Sequence, residues 1–240
     1  MLSRESISEI AAKNQTGELN VLREYFQHVF LANLYRTIGT DKIAFKGGTA
    51  LRIVYNSPRF SEDLDFSSAI KPYHLNGILE ETIAKIKYEG FDLQVNESKE
   101  TSGGFLAIYE FSAHGWNIRV ELNISARQKA GAVKSNTVLI TTPLYPPYTI
   151  VALDEKILIK EKIEALVYRK KPRDIFDLYF ILRNRMAISE ILPYKNKIED
   201  VLANTDEKSL NRELKIFLPR NYRNILTGFL PKLKNELKKL

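Results

Sequence analysis

Two aspartates separated by a single leucine, Asp63 and Asp65 in "SEDLDFS", have the spacing for shared chemistry. On an extended chain, side chains two apart stand on one face, so these carboxylates crowd together while Glu62, Leu64 and Phe66 point the other way. At about 4 Å and an effective dielectric of about 20 their repulsion is on the order of 4 kcal/mol. That is enough to raise one pKa or to demand a counter-charge. A divalent cation supplies the charge directly, and Mg²⁺ typically takes one or two carboxylates together with phosphate oxygens. The plainer reading is a strand end whose acids face water. Upstream, Gly47 and Gly48 let the chain turn tightly between "KIAFK" and "TALRIVY", leaving backbone N–H groups and the Thr49 hydroxyl near a positive helix end. Such a turn can cradle a phosphate, although a glycine pair alone is more often only a turn. Taken together, the glycine turn and the acidic pair make a composite site, one part for a triphosphate and the other for its metal.

Further candidates surround this pair. Lys46 precedes the turn, Arg52 and Arg59 flank the loop, and each has a cation to offer phosphate oxygens; Ser61, two before Asp63, could orient nucleotide or metal. In "NIRVELNIS" alternation puts Arg119 and Glu121 on one face, where Glu121 is either a third metal ligand or a cross-strand salt-bridging acid. Downstream, Ile159, Ile163, Leu166 and Val167 define an apolar helical stripe that Lys160 and Lys162 flank about equally, so periodicity does not choose between them. Pro172 suits a first helical turn, where a helix dipole favours the anion of Asp174; Asp177 follows one turn on.

Elements must position these groups. "VLREYFQHVFLANLY" carries Leu22, Tyr25, Phe26, Val29, Phe30 and Leu34 at helical spacing, with Gly39 as a stop. "KIAFK" and "DLDFS" read as strands around a short helix, and a helix follows at roughly residues 73 to 88. The runs "FDLQVNE", "FLAIYEFSA", "NIRVELNIS" and "TVLITT" are rich in β-branched and aromatic residues and read as further strands. Character changes near "PLYPPY": residues 1–148 read as an α+β core with a mixed sheet, and 149–240 as a mainly helical region. With 240 residues the chain can bury a sizeable core, and with no cysteines it has neither disulfides nor thiolate chemistry. The three histidines are scattered without ligand spacing. No apolar run has membrane-spanning length and the N-terminus lacks a signal-peptide core, so a soluble, cytoplasmic protein is expected. The formal net charge of +7 favours a polyanionic partner, and the basic stretches "YRKKPR" and "PKLKNELKKL" suit an RNA backbone or are ordinary solvated helix faces.

The composite site resembles that of the nucleotidyltransferase superfamily, with its polymerase-β-like fold. Within it, "FKGGTALRIVYNSPRFSEDLDFS", "EKIEALVYRKKPRDIFDLYFIL" and the upstream helix are similar to segments of the AbiEii/AbiGii toxin family, from about Glu24 to Leu182. The resemblance implies a nucleotidyltransferase-like fold and NTP-dependent transfer with pyrophosphate release. It implies Mg²⁺ or Mn²⁺ at Asp63, Asp65 and Glu121, and nucleotide contacts from Lys46, Gly47, Gly48, Thr49, Arg59, Ser61 and Asp177. It also selects Lys162 and Asp174 as active-site residues in the helical region. Relatives act on the 3′ end of tRNA and are silenced by an antitoxin, so RNA, with tRNA favoured, and a cognate antitoxin are the implied partners. Transfer to a protein or small molecule, and a nucleotide-binding module without transfer, are the alternatives left open.

Overall fold

The computed structural model describes residues 1–126 and 133–240. Its contacts divide these into two units, one formed by residues 1–56 and 60–153, the other by residues 57–59 and 154–240.

The first unit begins with helices α1 (Arg4–Lys13) and α2 (Glu18–Leu34), strand β1 (Ile43–Lys46), α3 (Gly47–Ile53), β2 (Leu64–Ser68) and α4 (Pro72–Tyr88). Strands β3 (Asp92–Thr101), β4 (Gly104–Ala113), β5 (Trp116–Ser125), β6 (Ser135–Ile140) and β7 (Tyr148–Leu153) complete it. The sheet order is β3-β4-β5-β2-β1-β7-β6. β1 runs antiparallel to β2 and parallel to β7, and β2 runs parallel to β5, so the centre of the sheet is mixed. β7 was not among the expected strands; it lies beyond the expected boundary at residue 148 and carries the sheet unit on to Leu153.

Helix α2 is the spine of this unit. Its aromatic side chains stack on β4, with Phe26 over Phe111 at 4.3 Å between centroids and Phe30 over Tyr109 at 5.4 Å. Every residue from Tyr25 to Leu34 is buried, including Gln27, His28 and Asn33 in addition to the expected apolar stripe. Each of these polar groups therefore needs an internal partner. Asn33 donates to the Val29 carbonyl at 3.1 Å, and the His28 Nδ1 lies 2.6 Å from the Tyr148 hydroxyl. Burial lowers the pKa of His28 to about 4, so its ring is neutral at pH 7. The helix ends at Leu34 rather than at Gly39, whose left-handed φ of 87° instead introduces the short turn before β1.

The second unit holds α5 (Glu155–Arg169), α6 (Pro172–Arg183), α7 (Lys195–Ala203), α8 (Glu207–Phe217) and α9 (Phe229–Lys238). Its core includes Phe176 stacked on Phe229 at 6.1 Å. Asp154 opens α5 by accepting from the Lys156 N–H at 3.2 Å. Lys170, in the left-handed region at φ 54°, closes α5, and Pro172 starts α6. Among the described residues no helix is long and apolar enough to cross a membrane.

Candidate active site

The acidic pair sits at the start of β2. Leu64 and Phe66 are buried in the core while Asp63 and Asp65 are half-buried on the opposite face, as alternation requires. Asp63 itself lies one residue before the strand, and Asp65 pairs with Lys46 on β1 and with Asn123 on β5. Lys46, Asp65 and Asn123 thus form one row across three central strands.

The glycine turn and the acids form one structure. Gly47 has φ 83°, which L side chains rarely adopt, and a Cβ there would collide with the Asp65 carboxylate and lie 2.8 Å from its Cβ. Only a glycine lets the backbone entering α3 lie against Asp65. The Thr49 hydroxyl, expected to face a phosphate, is instead buried and donates to the backbone carbonyl of Asp63. From α2, the Gln27 amide donates to the Ser61 carbonyl at 3.0 Å and to the Glu62 carbonyl at 3.1 Å. Ser61 is half-buried, and Glu62 reaches Arg23 at 3.2 Å. Helical spacing does not single out Gln27, because it assigns that residue to the polar outer face of α2.

Glu121 is on the expected face, one residue before the Leu64–Leu122 pair and therefore level with Asp63. It is not gathered with the aspartates as a third ligand. Arg119 donates to one of its oxygens at 3.2 Å and Asn123 to the other at 3.3 Å, and among the described residues no three His, Cys, Asp or Glu groups are arranged to hold a metal ion. Asp63 and Asp65 by themselves fit a hard cation. They offer carboxylate oxygens, the donors such an ion takes, and Asp65 lies against a turn that a Cβ would fill.

The cations expected around the loop are largely committed. Arg52 grips Glu24 through Nε at 3.2 Å and a terminal nitrogen at 3.0 Å, and lies 4.0 Å over the Phe60 ring. Within the helical unit, Arg59 makes a two-pronged pair with Asp177 at 2.9 and 3.0 Å, and Lys162 donates to the same carboxylate at 2.9 Å. Arg59 is 3% exposed, so its guanidinium is a structural partner for a buried acid and not a free phosphate ligand. Asp177 thus holds two cations. Burial pushes its pKa up, but Arg59 and then Lys162 outweigh that and hold it below the usual carboxylate range. Lys160 is exposed, so the structure separates the two lysines that periodicity left equivalent. Asp174 is 2% exposed; one oxygen accepts from Arg169 at 2.7 Å, and the other is buried without a hydrogen-bond partner. A buried, half-satisfied carboxylate is costly for folding alone and marks Asp174 as a functional candidate.

Known proteins share this fold. The MenT4 nucleotidyltransferase toxin of Mycobacterium tuberculosis H37Rv shares the fold at a TM-score of 0.69 and 18% identity, over 100% of this chain and 91% of that one. JHP933 from Helicobacter pylori matches at a TM-score of 0.63 and 21% identity, over 93% of this chain and 94% of its own. No curated protein matches the chain. Residues 29–237 match the family described as nucleotidyl transferase AbiEii toxin of type IV toxin-antitoxin systems, a span holding the glycine turn, the acidic pair and both candidate residues of the helical unit. The chain therefore belongs to the AbiEii family and is a nucleotidyltransferase.

Proposed function

We propose that the protein transfers a nucleoside monophosphate from an NTP to the 3′ hydroxyl of an RNA, with tRNA as the favoured acceptor, and that a cognate antitoxin restrains it. The observation that carries the reading is the fit of Asp65 against Gly47, which makes the glycine turn and the acidic pair a single surface. In the reaction, the acceptor oxygen forms a bond to the α-phosphorus, the bond from that phosphorus to the β-phosphate bridging oxygen breaks, and pyrophosphate leaves. Asp63 and Asp65 would hold a divalent cation, Mg²⁺ or Mn²⁺, which when bound neutralises charge on the phosphates. Gly47 and Gly48 bring backbone close to the triphosphate, and Lys46, in register with Asp65, adds a positive charge beside it. Asp174, as a base or positioning group, and Lys162, as a phosphate-binding or charge-stabilising one, are proposed to serve the same reaction on the sequence resemblance alone.

RNA is favoured as acceptor by the net charge of +7 and by the run "YRKKPR", four cations in six residues with no acid among them. The test is incubation with each of the four α-labelled NTPs and Mg²⁺, with tRNA, with a protein mixture, or with no acceptor. Label is expected on tRNA, with Asp63→Asn reducing it by at least about 100-fold. Label on protein alone, or none on any acceptor, would overturn the RNA reading.

A further inference from the structure

Three successive backbone carbonyls lead into the acidic pair, and side-chain donors from two helices take all three. Gln27 on α2 holds those of Ser61 and Glu62, and Thr49 on α3 holds that of Asp63. Both donor residues are 1% exposed. This stretch precedes β2, so no sheet ladder fixes it; the two side chains do that work where strand hydrogen bonds stop. We infer that Gln27 and Thr49 are positioning residues which set the affinity of the Asp63/Asp65 pair for its divalent cation. The inference rests on the metal-binding reading given above.

An amide has two N–H donors, and Gln27 spends both on adjacent carbonyls, which fixes the peptide planes on either side of Glu62. Thr49 then fixes the plane that follows Asp63, so the direction in which Asp63 leaves the backbone is constrained from both sides. A carboxylate held this way loses little freedom when it binds a cation, and removing such supporting partners typically costs 10–100-fold in metal affinity. The same bonds also occupy three carbonyl oxygens that would otherwise compete with the carboxylates as hard ligands.

The test is direct Mn²⁺ binding to the nucleotide-free protein, followed by the loss of the free-ion electron paramagnetic resonance signal, so that no triphosphate competes for the ion. Gln27→Met keeps the length and removes both donors; Thr49→Val keeps the shape and removes one, whereas Thr49→Ser restores the hydroxyl. Val29→Ala, a buried change on the same helix, controls for lost stability. Gln27→Met and Thr49→Val are expected to weaken Mn²⁺ binding by about tenfold or more, with Thr49→Ser within about twofold of wild type and Val29→Ala lowering Tm alone. Equal Mn²⁺ affinity in Thr49→Val and Thr49→Ser would overturn the inference, as would weakening by Val29→Ala to the same degree. The Thr49 pair decides the matter if Gln27→Met does not fold. If the wild type itself binds no Mn²⁺ that Asp63→Asn abolishes, the metal-binding reading fails instead.

Discussion

At the scale of the residue, the proposed active surface depends on a glycine as much as on its acids. Gly47 combines a left-handed φ of 83° with a close approach by Asp65, so any side chain there is strained and also pushes the carboxylate aside. Gly47→Ala should cost about 1–2 kcal/mol in backbone strain but lose transfer far beyond what that loss of stability explains. Thermal melting beside pyrophosphate release would check this, and full activity at a lowered Tm would count against it. Asp63 and Asp65 were legible in the sequence because a period of two is enough to place them on one face. The role of Thr49 was not, because its spacing puts it at a helix start whether its hydroxyl serves a ligand or a neighbouring carbonyl. Gln27 was hidden by a different cause: from Tyr25 to Leu34 α2 is buried all round, so the polar residues of its supposed outer face are internal there.

At the scale of the element, α5 and α6 are tied by a buried charge cluster in which Asp177 accepts from Lys162 and from Arg59 of the residue 57–59 segment. Arg59→Met would leave a fully buried carboxylate with one cation, a change that typically costs about 3–5 kcal/mol. Urea unfolding at pH 7 measures it. Because the folded pKa of Asp177 is depressed, its stabilising contribution is complete above the unfolded value of about 3.9 and is lost as pH falls through the lower folded one. The Arg59→Met penalty should therefore shrink on acidification through that window, and a penalty independent of pH would show that packing, not charge, dominates. Sequence spacing gave the helices themselves but not this cluster, because Arg59 and Asp177 are distant in the chain. β7 was missed for a related reason. "YTIVAL" lies between β1 and β6 and does alternate, with Tyr148, Ile150 and Ala152 buried and Thr149 exposed, but the apolar Val151 on the outward face and the adjoining proline pair and helix start mask that alternation in the sequence.

At the scale of the whole molecule, composition indicated a basic protein with a large core; the change of character expected near "PLYPPY" falls before β7, while the contacts divide the chain after Leu153 and place residues 57–59 with the helical unit. That residues 57–59 count with the helices could not be read from a linear pattern, since nothing in "SPR" differs from an ordinary loop. Charge is what the sequence offers about the acceptor, and the structure says where some of it is displayed. At the turn between α5 and α6, Tyr168 is 89% exposed, Lys170 and Lys171 are exposed beside it, and the left-handed Lys170 bends the chain there. An aromatic face among cations suits single-stranded RNA, whose bases stack while its phosphates pair. Each phosphate neutralised on a single strand adds about 0.7 to the slope of log affinity against log salt concentration. Lys170→Gln with Lys171→Gln should therefore lower that slope for tRNA by about 1.4 while leaving NTP binding unchanged. Tyr168→Ala, in contrast, should weaken binding with the slope unaltered, since stacking releases no counterions. Filter binding across a range of salt concentrations separates the two, and a slope unmoved by loss of both lysines would remove this turn from the acceptor surface.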